Sequence, residues 1–352
     1  MSTRDPVALV IGEFGPGALA GYYGRALQML GWRVVAYDMQ RGYTRGRLLA
    51  RARPLRRLLR RPLWALMARE TAALARRHRP DIVLATKAPF LGADDVHALR
   101  RAGAPVVMIY PDSPYGSYTQ RTDVLSVLAA YDRVYVWGRH LVSRLSADGV
   151  SAAAYLPFAF DPGDYGREGP IDTPSCGRTH AIAFIGQRYD KRQAWLEALR
   201  GLDVGVWGLG WDRSEVARAA GHCVHAEVVH GGAAGAIYRG TTLALNVLHA
   251  DNVPAHNMRT FEIPPCGAVM LSEATDEIAS FFEPDRACLL AADPAALRAQ
   301  AERALADGAL IRALAREGAR AAAPHTYQAR VRTILGDLGV GAGQPAKAQV
   351  RS

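Results

Sequence analysis

The sequence predicts an α/β protein with two doubly wound, Rossmann-like domains. Short apolar runs alternate with helical stretches in two successive series along the chain. Between the two series, residues 157–174 are rich in proline and glycine, which is typical of a linker. A chain of 352 residues also exceeds the size at which one core keeps growing, so two domains are expected on length alone.

The first series predicts a parallel sheet with covering helices in a domain over residues 1–160. Its apolar runs are four or five residues long and are separated by longer amphipathic or basic stretches. Strands are predicted at Val7–Ile11, Val34–Tyr37, Ile82–Ala85, Val106–Tyr110 and Arg133–Val136.

The second series predicts a similar domain over residues 175–324, with a crossover helix at 325–340 and a flexible tail at 341–352. One helical stretch is expected from Pro294 to about Ala323, because this part of the chain is rich in alanine. Strands are predicted at Ala181–Ile185, Val204–Trp207, Leu243–Val247, Val269–Leu271 and Cys288–Leu290.

The composition is that of a folded globular protein, with 49% hydrophobic and 22% charged residues. No apolar run approaches the roughly 20 residues that span a bilayer, and the first residues lack the pattern of a signal peptide, so a cytoplasmic protein is expected. The cysteines are far apart and form no C-x-x-C pair, which predicts reduced thiols. They are Cys176, Cys223, Cys266 and Cys288.

The formal net charge of +10 is partly local, since eight arginines fall between Arg45 and Arg61. Leucines interleave with them, as in a basic amphipathic helix interrupted by Pro54 and Pro62. Such a helix can rest on anionic lipid, so peripheral membrane contact through residues 45–64, on the inner membrane face, is one interpretation. The other is a solvated helical insertion whose leucines pack on their own domain. Nucleic acid is not expected, because no recognition motif accompanies the charge.

A glycine-rich loop follows the first predicted strand. Gly12, Glu13, Gly15 and Gly17 would let the backbone approach a ligand in front of a helix N-terminus. The order G-x-x-G-x-G differs from the dinucleotide order G-x-G-x-x-G, yet Asp38 stands where a ribose-binding acid of a dehydrogenase would. The loop can therefore be a phosphate- or acceptor-binding loop, part of a dinucleotide site, or a tight turn that binds no ligand.

Two charged residues follow strands of the first series and are candidates for acceptor chemistry. Asp112 ends an apolar run and precedes Ser113 and Pro114, so its carboxylate is expected at the carboxyl edge of the sheet. A carboxylate there can act as a general base toward a hydroxyl, or it can cap the following turn. Lys87 follows the preceding strand and is a candidate for acceptor contact.

A cationic turn opens the second domain. Gly186 follows a strand, and Arg188 and Lys191 come next, with Arg192 as a further cation. Fixed cations of this kind can meet the charge that develops on a departing diphosphate. A solvated helix start would show similar charges.

The segment 246–272 concentrates polar residues between two apolar runs. Glu262 can accept hydrogen bonds from the vicinal hydroxyls of a ribose. Arg259 lies on the same helical face, where it can meet phosphate or hold the glutamate. His256 and Asn257 are candidates for diphosphate or sugar contact, and Gly267 allows close approach of the backbone. The alternative is a structural salt bridge with caps.

Several motifs resemble the CgeB-like glycosyltransferases. They are N-x-R-x-F-E-I at residues 257–263 followed by C-G at 266–267, D-x-P at 112–114, and H-T-Y-x-x-R at 325–330. The resemblance implies the GT-B fold, with two Rossmann-like domains facing a cleft and a final helix anchored on the first domain by Tyr327 and Arg330. It implies that Glu262 binds the donor, while Pro254 replaces a second glutamate found in a related retaining class.

The function expected from the resemblance is transfer of a sugar from a nucleotide-diphosphate sugar to an acceptor hydroxyl, with no metal and no cofactor. The glycine loop would then help bind acceptor or donor phosphate. Alternatives are a nucleotide-sugar 2-epimerase, an NAD-dependent dehydrogenase and a non-catalytic sugar- or lipid-binding coat protein. A zinc site at His222, Cys223, His225 and His230 is not expected, because the spacing fits no common ligand set and favours a histidine-rich hairpin or loop.

Overall fold

The structure is a computed structural model that describes residues 4–49, 53–116, 119, 122–167 and 180–340. The chain divides into two compact units. Met1–Pro157 together with Tyr327–Ser352 form the first unit, and Phe158–Thr326 form the second. Cys176, the end of the predicted linker and the predicted tail at 341–352 lie outside the described residues.

The first unit is built on a parallel sheet, which has six strands in the described part of the chain. They are β1 (Val7–Gly12), β2 (Arg33–Asp38), β3 (Ile82–Thr86), β4 (Val106–Tyr110), β5 (Arg133–Val136) and β6 (Ala153–Tyr155). Their order across the sheet is β2-β1-β3-β4-β5-β6. β1, β3 and β4 are buried along their whole length, as expected of parallel strands covered on both faces.

Helices connect these strands. They are α1 (Leu19–Met29), α2 (Met39–Leu49), α3 (Arg53–His78), α4 (Ala93–Arg100), α5 (Val124–Leu128) and α6 (Arg139–Ala147). The first turn of α4 is fixed by Asp95, whose carboxylate accepts a hydrogen bond from the backbone N–H of Gly92 at 2.9 Å.

The described residues of the arginine-rich segment lie in α2 and in the long helix α3. The predicted interruption at Pro62 is wrong, because α3 continues through this residue. Pro54 stands in the first turn, where a helix needs no N–H. Farther along α3, the guanidinium of Arg60 lies over the Trp64 ring, 5.1 Å from its centroid, and Leu58 is exposed. No helix in the described residues is both long and apolar enough to cross a membrane, and surface contact through residues 45–64 stays a prediction.

The second unit repeats the architecture, again with six parallel strands in its described residues. They are β7 (His180–Ile185), β8 (Val204–Trp207), β9 (Cys223–His225), β10 (Thr241–Asn246), β11 (Val269–Glu273) and β12 (Leu289–Ala291). Their order is β12-β11-β10-β7-β8-β9.

Several helices of the second unit are short. The α-helices described in this unit are α7 (Pro162–Tyr165), α8 (Asp190–Glu197), α9 (Glu215–Ala219), α10 (Gly232–Arg239), α11 (Arg259–Glu262), α12 (Asp276–Phe281), α13 (Pro294–Ala306) and α14 (Gly308–Ala322). The predicted helical stretch from Pro294 to about Ala323 therefore consists of two helices. The chain breaks at Asp307, whose carboxylate caps α14 by accepting the backbone N–H groups of Ala309 and Leu310.

The last helix, α15 (Tyr327–Asp337), belongs to the first unit. The Tyr327 ring stacks on Tyr22 of α1 with a centroid distance of 4.9 Å. The Arg330 guanidinium donates a hydrogen bond to the carbonyl of Pro157 at 2.8 Å. The two residues thus anchor the final helix, in the roles that the sequence predicts for them.

The predicted fold class is confirmed, since both units hold parallel sheets with covering helices. The predicted strand positions lie within a few residues of the observed ones. Two strands were not predicted, β6 and β9, and the expected hairpin or loop around Cys223 is wrong, because this segment pairs in parallel with β8.

Candidate functional site

Each sheet has one point at which its strand order reverses. In the first unit this switch point lies between β1 and β3, and in the second unit it lies between β7 and β10. The chains that leave neighbouring strands there run to opposite sides and open a crevice at the carboxyl ends of the strands, where ligands of α/β sheets bind. The residues after these four strands are therefore the candidates.

The switch point of the first unit opens into a cavity of about 370 Å³. It is lined by Glu13, Ala18, Leu19, Met39, Tyr43, Thr86, Lys87, Pro89 and Pro111. Two of the predicted acceptor-binding residues, Glu13 and Lys87, thus share one cavity. Tyr43 was missed by the sequence reasoning. Its burial, and to a smaller extent the nearby Glu13 carboxylate, raise the pKa of the Tyr43 hydroxyl to about 12.

The glycines of the first loop have different structural roles. A side chain at Gly12 would place its Cβ 2.0 Å from the Thr86 hydroxyl oxygen, so only glycine lets β1 and β3 meet closely there. Gly17 has a φ of 75°, which favours glycine. Gly15 is exposed, and a Cβ there would meet nothing within 4 Å.

Lys87 and Asp112 form an ion pair through the Lys87 ammonium and a carboxylate oxygen of Asp112. Each side chain keeps 27% of its surface exposed. Lys87 has a φ of 57°, a left-handed conformation that is uncommon for a residue other than glycine and clusters at functional sites. The structure therefore joins the predicted base and a predicted acceptor contact, which the sequence indicated only separately.

At the switch point of the second unit, Arg188 and Lys191 follow β7. The Arg188 Nε donates to the amide oxygen of Gln193 at 2.8 Å. The Lys191 ammonium bonds to Oε1 of Glu273, at the end of β11, at 2.6 Å. The other oxygen of Glu273 accepts the backbone N–H of Leu248 at 3.2 Å, so the carboxyl ends of three strands are tied together.

Two neighbours of these cations have structural roles. Arg192 is buried, and its guanidinium donates to the carbonyls of Val247 and Gln187 at 3.1 and 2.9 Å. The backbone N–H of Gly186 donates to the carbonyl of Trp207 at 2.9 Å, so it extends the pairing of β7 with β8 at the carboxyl ends of these strands. Arg188 and Lys191 are the more exposed cations of this turn.

His249 lies beside the cationic turn, with its ring 4.6 Å from the Tyr189 ring in an edge-to-face contact. Burial lowers the pKa of His249; Asp251 raises it, while Arg192 and Lys191 lower it further. His249 follows β10 at the switch point, and this position was the sequence signal that should have nominated it.

A buried amide network positions α11 at the end of β10. The Asn257 amide donates to the side-chain oxygen of Asn246 at 2.8 Å, and the Asn246 amide donates to the Thr260 hydroxyl at 3.1 Å. His256 has no exposed surface: its Nε2 accepts the backbone N–H of Phe158, and its Nδ1 lies 3.2 Å from Glu277. The side chains of His256 and Asn257 thus face protein partners, unlike the ligand contacts predicted for them.

Glu262 is buried on α11, 7% exposed, and burial raises its pKa from 4.5 to about 7. The Arg259 guanidinium and the hydrogen-bonded Tyr165 hydroxyl act in the opposite direction. The Nε of Arg259 is buried, and no hydrogen-bond partner for it is found among the described residues. Gly267 has a φ of 83°, and a Cβ there would lie 3.1 Å from the guanidinium of Arg167.

Residues 188–336 match a family model described as glycosyl transferase-like. This segment is therefore similar to a glycosyl transferase-like family. Comparison of the sequence with curated proteins finds no significant match.

Solved structures of GT-B glycosyltransferases resemble the chain along nearly its whole length. HepE from Anabaena, in a complex with UDP, has a TM-score of 0.64 at 11% identity, covering 95% of this chain and 99% of that one. Sucrose-phosphate synthase from Thermosynechococcus elongatus has a TM-score of 0.63 at 15% identity, covering 96% and 99%. An α,α-trehalose-phosphate synthase (UDP-forming) from Burkholderia xenovorans has a TM-score of 0.63 at 13% identity, covering 95% and 100%. The chain therefore has the GT-B fold.

In this GT-B chain, the segment that matches the glycosyl transferase-like family contains the cationic turn and α11. It also contains Glu273, which the sequence reasoning missed because an acidic residue at a strand end is common. Tyr165 was missed because it lies in the proline- and glycine-rich segment that was interpreted only as a linker. Its position beside Glu262 depends on the packing of α7 and is not visible in local sequence.

Proposed function

We propose that this GT-B protein transfers a sugar from a nucleoside-diphosphate sugar to an acceptor hydroxyl. The observation that carries the proposal is the pair Arg188 and Lys191 at the switch point of the second sheet, within the glycosyl transferase-like segment. The other residues have supporting roles that follow from their surroundings.

Arg188 and Lys191 meet the diphosphate in this proposal. Negative charge builds up on the leaving phosphate as the bond to the sugar breaks, and fixed cations that need no rearrangement lower the cost of that step. Glu273 holds Lys191 by one of the three N–H donors of its ammonium, which orients the other two. Arg259, whose buried Nε lacks a partner among the described residues, is a further phosphate contact. The scheme assigns the phosphate charge to these cations and requires no metal.

Glu262 binds the ribose in this proposal. One carboxylate can accept a hydrogen bond from each of two vicinal hydroxyls. A pKa near 7 means that the free protein holds the carboxyl partly protonated at neutral pH. Ribose hydroxyls that donate to it stabilise the ionised form, so nucleotide binding should release a fraction of a proton.

The acceptor chemistry is assigned to Asp112 and Lys87. The proton of the acceptor hydroxyl passes to the Asp112 carboxylate as the oxygen attacks the sugar, and the bond from the sugar to the phosphate oxygen breaks. The cavity beside Glu13 and Lys87, of about 370 Å³, is large enough for a small acceptor or for one end of a larger one.

Uridine nucleotides are the first donors to test. HepE is described in complexes with UDP and with UDP-glucose, and the trehalose-phosphate synthase is described as UDP-forming. These proteins share the fold with the chain, and their nucleotide is the best starting point for its donor.

The test is thermal stabilisation of the purified protein by UDP, GDP, dTDP, CMP and NAD. A ligand at 100 times its Kd should stabilise the protein by about 2.7 kcal/mol. We expect one nucleoside diphosphate to stabilise it selectively. Replacing Arg188 by alanine should raise the Kd for this nucleotide roughly 10- to 100-fold, the value of a charged hydrogen bond.

The matched control is Arg213→Ala, because the Arg213 side chain is 91% exposed in the same unit. It should leave nucleotide binding unchanged. Stabilisation by NAD alone, unaffected by Arg188→Ala, would favour the dehydrogenase instead and refute the proposal.

A further inference from the structure

A cluster of two histidines and a cysteine lies on the second sheet, apart from the cationic turn. His180 begins β7, and Cys223 and His225 lie on the edge strand β9. One ligand atom from each of the three lies within 4.8 Å of the others. We propose that these residues bind a transition-metal ion of the zinc class.

One distance in the cluster matches that between two ligands of a bound zinc ion. The Cys223 sulfur lies 3.5 Å from Nε2 of His225. With Zn–S about 2.3 Å, Zn–N about 2.0–2.1 Å and a tetrahedral angle, sulfur and nitrogen ligands of one zinc ion lie about 3.6 Å apart. Cysteine and histidine are the ligand types that zinc prefers, and the set leaves one coordination position for water.

His180 is oriented as metal-binding histidines are. Its Nδ1 bonds to the carboxylate of Asp203 at 2.7 Å, and the other oxygen of Asp203 accepts the backbone N–H of Ala181 at 2.7 Å. The carboxylate fixes the tautomer with the proton on Nδ1, so the lone pair is on Nε2. An outer carboxylate in this position raises the basicity of a metal ligand.

Neighbouring residues make room for the cluster and hold its rings. Gly205 of β8 pairs with Cys223, and a Cβ at Gly205 would lie 2.4 Å from Cδ2 of His180. Any other residue at this position would displace the His180 ring. Trp207 stacks on His225 with a centroid distance of 4.4 Å and an interplanar angle of 3°.

A metal at this place would tie the edge strand β9 to β7, across β8. β9 has only three residues, and edge strands of this length gain little from sheet pairing alone. His180 is the first residue of β7, whereas Arg188 and Lys191 follow the last, so His180 lies at the opposite end of β7 from these cations. His222 lies outside the set, since its Nε2 bonds to the carbonyl of Leu196.

The proposal is tested by titrating Co²⁺ into tag-free protein. A Cys176→Ser background removes the cysteine outside the described residues, and Cys266 and Cys288 are buried. We expect one Co²⁺ per chain, a thiolate-to-cobalt charge-transfer band, and loss of that band when Zn²⁺ is added. Binding should also release the thiol proton.

Three variants and one control sharpen the test. Cys223→Ser, at an exposed position that tolerates serine, should abolish the band, and His225→Gln should do the same. Asp203→Asn should weaken Co²⁺ binding roughly 10- to 100-fold, since it removes the outer partner of a ligand. His230→Gln, an exposed histidine nearby, should bind as the parent does. Absence of the band in the parent protein, or a band that survives Cys223→Ser, would overturn the proposal.

Discussion

Replacing Glu262 by glutamine should stabilise the protein at alkaline pH and leave it unchanged at acidic pH. Burial raises the pKa of this carboxyl from 4.5 to about 7, against the opposing effects of Arg259 and Tyr165. Between these two pH values the folded protein binds more protons than the unfolded chain, so stability falls as pH rises through this window. Glutamine keeps the shape of the side chain and carries no charge at any pH.

The magnitude follows from the shift. A rise from 4.5 to about 7, at about 1.4 kcal/mol per pH unit, corresponds to about 3 kcal/mol. Above pH 7 the wild-type protein bears this full cost of a buried charge, and near pH 4 it bears almost none. The variant should therefore gain about 3 kcal/mol over wild type at pH 8 and nothing at pH 4.

The assay is urea denaturation of both proteins at several pH values from 4 to 8, compared as differences so that other titrating groups cancel. Glu227→Gln, at an exposed glutamate of the same unit, is the matched control and should show no pH-dependent gain. A Glu262→Gln variant that is less stable than wild type at pH 8 would refute the reasoning. The contacts of the ionised carboxylate with Arg259 and Tyr165 would then outweigh the effect of burial.

Two further predictions concern the first unit. Asp112→Asn should lower the turnover of a UDP-sugar by 10²- to 10⁴-fold, the usual contribution of a general base, with unchanged UDP affinity; UDP release and calorimetry measure the two. Gly12→Ala should cost about 1–3 kcal/mol in urea denaturation, because its Cβ would lie 2.0 Å from the Thr86 hydroxyl and 2.6 Å from Ala20. Gly15→Ala, which meets nothing within 4 Å, should stay within about 0.5 kcal/mol of wild type.

Different outcomes would contradict each prediction. Unchanged turnover in Asp112→Asn would remove the carboxylate from the reaction, and a loss of UDP affinity would place it in donor binding. Equal stability of Gly12→Ala and Gly15→Ala would mean that β1 and β3 adjust to the added methyl group at little cost.

The buried strands could be predicted from the sequence alone. β4 and β5 have the bounds that the apolar runs indicate, Val106–Tyr110 and Arg133–Val136. Parallel strands covered by helices on both faces must be apolar along most of their length, so they are visible as continuous runs. Two series of such runs separated by a linker predicted two doubly wound units, and the motifs that resemble the CgeB-like glycosyltransferases implied the GT-B fold.

Two edge strands, β6 and β9, could not be predicted in the same way, whereas the edge strands β2 and β12 were predicted. β6 and β9 lie at the ends of their sheets, have three residues each, and are partly exposed. A half-exposed strand needs no continuous apolar run, so Cys223–His225 has the polar composition of a loop. Its pairing with β8 is a property of the sheet as a whole.

The candidate site was only partly visible in the sequence. Residues that follow strands could be nominated, because the carboxyl ends of parallel strands meet at one edge, and Lys87, Asp112, Arg188 and Lys191 were found in this way. Which of them pair was decided by tertiary structure alone. Lys87 contacts Asp112 and Lys191 contacts Glu273 only because each sheet brings distant parts of the chain together.

Burial was also decided by tertiary structure. Local sequence places Glu262 on a short helix but does not show that its carboxyl is enclosed, because the residues around it come from α7 and α10 as well as α11. The same holds for His180, which meets Cys223 and His225 across an intervening strand. Periodicity and composition describe residues near one another in sequence, whereas desolvation and metal coordination depend on groups that only the folded chain brings together.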